Sequence, residues 1–167
     1  MFAFSVIPQV PADDRWRNAG PVWRTCVREV GLVEHRSCIP RGVPALHDVA
    51  AYTHLLEVIC GLDSPMVGET EVMHQFKIFA AGLPPEQSMF RELCHALLAD
   101  ARHVRAQHLV GLGSRSYGSA VRRLVRGCRR VAIIGTGMLA TEILPFVAGT
   151  HIVDVWGRRE TFDTGSA

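Results

Sequence analysis

The sequence predicts an α+β domain over residues 1–112, followed by a linker helix and a β-α-β unit over residues 113–167. Strand-like apolar runs come first and amphipathic helices follow, which is the order typical of an α+β domain. A new pattern begins with the apolar run at residues 130–134. Because compact domains commonly have ~100–150 residues, this length fits one domain and part of a second.

Two strands and three helices are predicted in the first domain. Residues 2–7 form a short apolar strand that ends at Pro8, and residues 22–33 form a second strand that passes through Cys26. Between them, residues 8–21 are a loop or a very short helix. Helices are predicted where apolar residues recur at helical spacing, over residues 45–59, 68–81 and 90–109.

The second part of the chain carries a nucleotide-binding fingerprint. Ser116 can cap a linker helix over residues 117–125. A strand at 130–134, an apolar helix to about residue 147 and a strand at 152–155 then enclose the pattern Gly-x-Gly-x-x-Ala. Such glycines let backbone N–H groups approach a pyrophosphate at a helix N-terminus. The predicted cofactor-binding residues here are Gly135, Thr136, Gly137, Met138, Leu139 and Ala140.

This unit is interpreted as the first half of a Rossmann-type dinucleotide-binding domain. Arg158 and Arg159 follow the second strand, where arginines favour a 2′-phosphate and therefore NADPH over NADH. A complete fold needs two such halves, so a vestigial unit or the beginning of a longer protein is an alternative interpretation. Two strands alone leave a sheet edge uncovered.

The charge of the chain is nearly balanced overall but locally basic. The 18 Lys and Arg exceed the 16 Asp and Glu by only two, too few to indicate a nucleic-acid-binding protein. Eight arginines nevertheless fall between residues 102 and 130: Arg102, Arg105, Arg115, Arg122, Arg123, Arg126, Arg129 and Arg130. They fit either a phosphate-binding surface or a solvated helix face, and the sequence leaves both open.

Other features favour a cytoplasmic globular protein. No stretch approaches the ~18 apolar residues of a membrane span, and the first residues do not resemble a signal peptide. The cysteines are odd in number and form no Cys-x-x-Cys pair, so neither disulfides nor a metal site is indicated. They are Cys26, Cys38, Cys60, Cys94 and Cys128.

Cys26 is the candidate nucleophile. Most cysteines are simply buried, but Arg24 and Arg28 lie two residues to either side and share a face if this segment is one strand. A nearby guanidinium stabilises a thiolate and favours its attack on an ester carbonyl. His54 is a candidate acid–base partner, although a single histidine in a helix is commonly structural.

These residues carry a resemblance to a known family. Residues 23–29, Trp-Arg-Thr-Cys-Val-Arg-Glu, resemble the Thr-Cys-Asn-Arg motif of the glutamyl-tRNA reductase family. His54-Leu55 and residues 61–77, which begin Gly-Leu-Asp-Ser and continue through Gly-Glu to Gln and Lys, resemble its longest signature. Residues 101–105 and 114–120 resemble the stretches that precede its dinucleotide domain.

The resemblance implies NADPH-dependent reduction of glutamyl-tRNA to glutamate-1-semialdehyde, for tetrapyrrole biosynthesis. Cys26 attacks the ester to form a thioester, Arg28 binds a substrate carboxylate or polarises the cysteine, and His54 acts as an acid–base or orienting group. Glutamyl-tRNA is the implied partner, and glutamate-1-semialdehyde aminotransferase is a further candidate. The implied substrate-binding residues are Thr25, Asp63, Ser64, Glu69, Glu71 and Gln75. The Asp-Ser-Pro sequence is equally typical of a turn.

The chain departs from the family pattern in ways that leave three hypotheses open. Val27 replaces an asparagine and Glu71 a glutamine, the region before Cys26 is short, and the helical dimerisation domain is absent. We therefore expect weak NADPH binding and, if the chain forms a homo-oligomer, one unlike that of the family. The chain is a reductase, a remnant that forms a thioester without reduction, or a non-catalytic regulator that binds tRNA, haem or a partner.

Overall fold

The computed structural model describes residues 3–11, 20–25, 28–34, 39, 41–112 and 116–157. The chain divides into two compact units, Met1–Ser114 and Arg115–Ala167. Within the described residues, no helix combines the length and apolar character needed to cross a membrane.

The first unit contains a four-stranded antiparallel sheet in the order β2-β3-β1-β4. Successive side chains face opposite sides of it, so Leu32 lies in the main hydrophobic core whereas Val33 lies in a smaller cluster. Both faces of the central strands are therefore buried. The strands are β1 (Ser5–Ile7), β2 (Val22–Arg24), β3 (Glu29–Val33) and β4 (Leu46–His47).

The prediction of one continuous strand over residues 22–33 is wrong, because the segment folds back as a hairpin. Trp23 pairs with Val30, and Arg24 pairs with Glu29, in antiparallel register. The turn lacks the Gly or Asn that usually signals one, so the apolar run reads as uninterrupted. Arg24 and Arg28 consequently lie on either side of a turn and not on one face of a strand.

Three helices cover the main core, and all three confirm the periodicity in the sequence. Helix α1 begins three residues later than predicted because Leu46 and His47 pair with β1 instead. In the core, the rings of Trp23 and Phe76 meet edge to face with centroids 4.7 Å apart. The helices are α1 (Asp48–Ile59), α2 (Glu71–Gly82) and α3 (Ser88–His108).

The second unit is a helix followed by a β-α-β arrangement, as predicted. The strands are parallel, with Arg130 opposite Ile152 at one end and Ile134 opposite Trp156 at the other. The predicted cap is confirmed: the hydroxyl of Ser116 accepts the N–H of Ser119 at 3.1 Å. The elements are α4 (Tyr117–Leu124), β5 (Arg130–Ile134), α5 (Met138–Ala148) and β6 (Ile152–Trp156).

We expect Gly61→Ala to lower the free energy of unfolding by about 2 kcal/mol. Gly61 has φ +73°, and a Cβ there would lie 2.7 Å from the carbonyl oxygen of Glu69. Gly82→Ala is the matched control, since Gly82 ends α2 and a Cβ there would meet no atom within 4 Å. Urea denaturation followed by circular dichroism compares the two, and equal effects would contradict the strain assigned to Gly61.

Candidate active site

The turn between β2 and β3 is closed by Thr25 and Arg28. The N–H of Thr25 donates to the carbonyl oxygen of Arg28 at 2.8 Å, and the N–H of Arg28 donates to the Thr25 hydroxyl at 3.0 Å. Thr25 is buried, so this predicted substrate-binding residue has a structural role in shaping the turn. The residues that connect the pair, Cys26 and Val27, lie outside the described residues.

Arg28 joins this turn to the loop after α1. Its guanidinium forms an ion pair with the Asp63 carboxylate and donates from Nη2 to the Asp63 carbonyl oxygen at 2.8 Å. Arg24 pairs instead with Glu29 on the neighbouring strand, at 2.9 Å and near the surface. Of the two arginines expected to flank the cysteine, only Arg28 is therefore directed towards the other predicted site residues.

The loop that carries Asp63, residues 60–70, is held by Arg105 of α3. The guanidinium of Arg105 donates to the carbonyl oxygens of Cys60, Gly68 and Glu69 at 2.8, 3.0 and 3.2 Å. Because each bond has a charged donor, together they fix the course of the loop strongly. In the sequence, Arg105 belonged to the arginine cluster and to the family-like stretch 101–105, but neither assigned it a partner. The sequence signal that could have identified its structural role was its position four residues after Ala101, on the buried side of the helix.

Within this loop, the side chains of Ser64 and Glu69 are hydrogen-bonded to each other and are not directed towards solvent. The Ser64 hydroxyl donates to the Glu69 carboxylate at 3.1 Å, and Glu69 is only 2% exposed. This geometry favours a role in holding the loop for both residues. Glu71, in the first turn of α2, and Gln75, one turn further along, lie on the helix that the loop leads into.

His54 and Asp63 line a cavity of about 530 Å³, together with Glu57 and Leu62. The Nε2 atom of His54 is buried and has no hydrogen-bond partner among the described residues. Burial lowers the pKa of His54; the Asp63 carboxylate opposes this, the Arg28 guanidinium adds to it and the Glu57 carboxylate opposes it. A histidine of lowered pKa is neutral at pH 7 and able to accept a proton.

The structure thus brings together Arg28, His54 and Asp63, three of the predicted site residues. Arg28 belongs to the hairpin, His54 to α1 and Asp63 to the loop that follows α1. Their grouping beside the turn that contains Cys26 provides a cation, a carboxylate and a neutral base within one region. Such a set suits substrate binding and proton transfer next to a nucleophile.

In the second unit, the predicted fingerprint forms a turn between β5 and α5. Gly135 follows the last residue of β5 with φ +117°, a conformation that favours glycine, and Gly137 is the N-cap of α5. A Cβ at either glycine would meet no atom within 4 Å, so a ligand can approach the backbone here. Ala140 is buried, as the third position of the motif requires for close helix packing. The turn fits a dinucleotide pyrophosphate, while Arg158 and Arg159 lie outside the described residues.

Comparison with known proteins matches the chain to one family. The family model described as the N-terminal domain of glutamyl-tRNAGlu reductase matches residues 25–108. A glutamyl-tRNA reductase of Thermoplasma acidophilum is 34% identical over 119 residues, which are 68% of this chain and 29% of that protein. One from Methanothermobacter marburgensis is 30% identical over 130 residues, 70% of this chain and 31% of that protein.

A solved structure, that of the glutamyl-tRNA reductase from Methanopyrus kandleri, has a similar fold. Its TM-score is 0.52 at 19% identity, and the match covers 95% of this chain and 50% of that one. Since the family model covers half of the 167 residues, the chain belongs to the glutamyl-tRNA reductase family. It spans about a third of the length of the curated relatives cited here.

We expect His54 to titrate below 6.5, its ordinary value. Asp63→Asn should lower the midpoint further, because it removes a carboxylate that stabilises the imidazolium ion. Arg28→Gln should raise the midpoint, because it removes a repelling cation. NMR titration of the His54 ring protons measures the midpoint in the unaltered chain and in both variants. Shifts of the same sign in the two variants would contradict the arrangement of charges around His54.

Proposed function

We propose that this chain acts on glutamyl-tRNA, using Cys26 to form a thioester that is then reduced to glutamate-1-semialdehyde for tetrapyrrole biosynthesis. The observation that carries the proposal is the grouping of Arg28, His54 and Asp63 beside the turn that contains Cys26, in a chain of this family. Glutamyl-tRNA is named because the relatives are glutamyl-tRNA reductases.

In the first step, the Cys26 thiolate attacks the carbonyl carbon of the aminoacyl ester. A carbon–sulfur bond forms, the ester carbon–oxygen bond breaks, and the ribose oxygen leaves with the tRNA. Neutral His54 accepts the thiol proton and returns it to the departing oxygen. This role fits its lowered pKa and its position on the wall of the cavity.

Arg28 binds a carboxylate of the glutamyl group in this scheme. Its guanidinium already binds the carboxylate of Asp63, which is the same chemical group. The Asp63 side chain is about half exposed, so it can exchange for a substrate carboxylate without unfolding the loop. Asp63 therefore holds Arg28 in position until substrate arrives.

Residues 135–137 would hold the pyrophosphate of NADPH, and the cofactor would supply the hydride that converts the thioester to the aldehyde and frees the Cys26 thiolate. The open approach to Gly135 and Gly137 and the buried Ala140 support this assignment. The chain's own contribution is a backbone turn that receives the pyrophosphate at the start of α5.

Formation of the thioester without reduction is a second candidate function. In the two-stranded sheet of the second unit, Ile134 is 90% and Trp156 67% exposed, so the described residues leave the carboxyl end of this sheet largely uncovered. A poorly stabilised unit would bind cofactor weakly while leaving the chemistry of Cys26 intact. A non-catalytic regulator that binds tRNA, haem or a partner such as the aminotransferase is the remaining alternative.

A single-turnover assay with radiolabelled glutamyl-tRNA separates these functions. We expect label to become bound to the protein and to be released by hydroxylamine, with aldehyde formed only when NADPH is added. Cys26→Ala should reduce labelling to background, because the nucleophile is gone. Cys94→Ala is the control, since Cys94 is a cysteine buried in the core of the first unit.

Label on the protein without aldehyde would support the second candidate. Equal labelling of the chain and of its Cys26→Ala variant would contradict both catalytic proposals.

A further inference from the structure

The second unit contains a basic cavity that the proposed chemistry does not use. Its volume is about 690 Å³, and it lies at the C-terminal ends of α4 and α5. The basic and polar residues that line it include Arg122, Arg123, Arg126, Arg129, Thr150 and His151. Phe146 also lines it and packs against α4, where a Cβ on Gly118 would overlap the Phe146 ring.

The backbone beneath the cavity is fixed by its own hydrogen bonds. The N–H of Cys128 donates to the carbonyl oxygen of Val125 at 2.9 Å, and the turn passes through Gly127 at φ +90°. The His151 ring joins the two helix ends, with Nε2 3.2 Å from the Val125 carbonyl oxygen and Nδ1 3.2 Å from that of Val147. The arginines therefore project from an ordered base.

These arginines are not needed to cap the helix. Cations commonly stabilise a helix C-terminus, but backbone N–H groups already bind the last carbonyls of α4. The Val121 carbonyl accepts from Val125, and that of Arg123 accepts from Arg126. Arg126 and Arg129 also lie beyond the end of the helix.

Among the described residues, neighbouring acids do not neutralise these arginines. The described residues 116–157 contain two acids, Glu142 and Asp154, against five arginines. Asp154 pairs with Arg130, at 3.1 Å. Within the part of the chain that the structure describes, the four cavity arginines make no ion pair, so their positive charge is available to a ligand.

The cavity is separate from the predicted dinucleotide site. The glycine turn follows the carboxyl end of β5, whereas Arg129 precedes its amino end. Five strand residues lie between these ends, a distance of roughly 13–16 Å. One dinucleotide bound at the glycine turn therefore does not account for the arginines.

We propose that this arginine cavity binds the phosphate backbone of RNA, and that its occupant is the body of the tRNA substrate. All four arginines are exposed and form no ion pair with another described residue, which suits contacts with successive backbone phosphates better than a small ligand held in a closed pocket. The choice of tRNA rests on the proposed function, whereas the phosphate chemistry rests on the cavity alone.

The test is the binding of fluorescently labelled, uncharged glutamate-accepting tRNA to the whole chain over a range of salt concentrations. Arg122→Gln/Arg126→Gln should weaken binding about tenfold near physiological salt and reduce the slope of log K against log salt by about 1.5. Arg122→Lys/Arg126→Lys keeps both charges and should retain most of that slope. Arg91→Gln/Arg102→Gln, on exposed positions of α3, is the control for general loss of charge.

Unchanged affinity in Arg122→Gln/Arg126→Gln would overturn the proposal, as would an equal loss in the α3 control or the absence of tRNA binding by the unaltered chain. Uncharged tRNA keeps this result independent of the chemistry of Cys26. A chain that binds tRNA through these arginines but takes no label would retain this site while losing the proposed function.

Discussion

The contact between Arg28 and Asp63 links the two parts of the chain from which the candidate site is built. The residues are 35 positions apart, one beside the turn that contains Cys26 and the other in the loop that follows α1. The guanidinium binds both the side chain and the backbone carbonyl of Asp63, so it fixes the loop itself as well as one carboxylate. Because Arg28 and Asp63 also change the pKa of His54 in opposite directions, this contact influences both the geometry and the charge of the site.

The loop can keep Asp63 in position because hydrogen bonds from α3 and within the loop fix its course. Arg105 binds three of its carbonyl oxygens, and the buried Glu69 accepts a hydrogen bond from Ser64. Polar groups used in this way limit how far Asp63 can move. The signature by which the family is recognised therefore combines residues that face the cavity with residues that support them.

The sequence predicted the elements whose signals are local. Apolar periodicity located α1, α2 and α3, and Ser116 marked the start of α4 through its own capping hydrogen bond. The hairpin was missed because Thr25, not a Gly or Asn, closes its turn. Strand β4 was missed since two residues carry no periodicity and pair only when β1 lies beside them.

The candidate site could be predicted in part, because the family motifs are also local in the sequence. The family motifs indicated Arg28, His54 and Asp63, and these residues do lie together. The sequence did not reveal that Arg24 binds Glu29 or that Arg105 holds the loop, because both contacts depend on how distant segments pack. Arg24 and Arg28 are equally close to Cys26 in sequence, yet only Arg28 contacts another predicted site residue.

A double-mutant cycle on Arg28 and Asp63 tests the central claim most directly. The free energies of unfolding of Arg28→Gln, Asp63→Asn and the double variant are compared with that of the unaltered chain by urea denaturation. If the pair links hairpin and loop, the double variant should lose less stability than the sum of the two single losses, with a coupling of about 1 kcal/mol. Strictly additive losses would show that the two residues act independently and would contradict this account of the site.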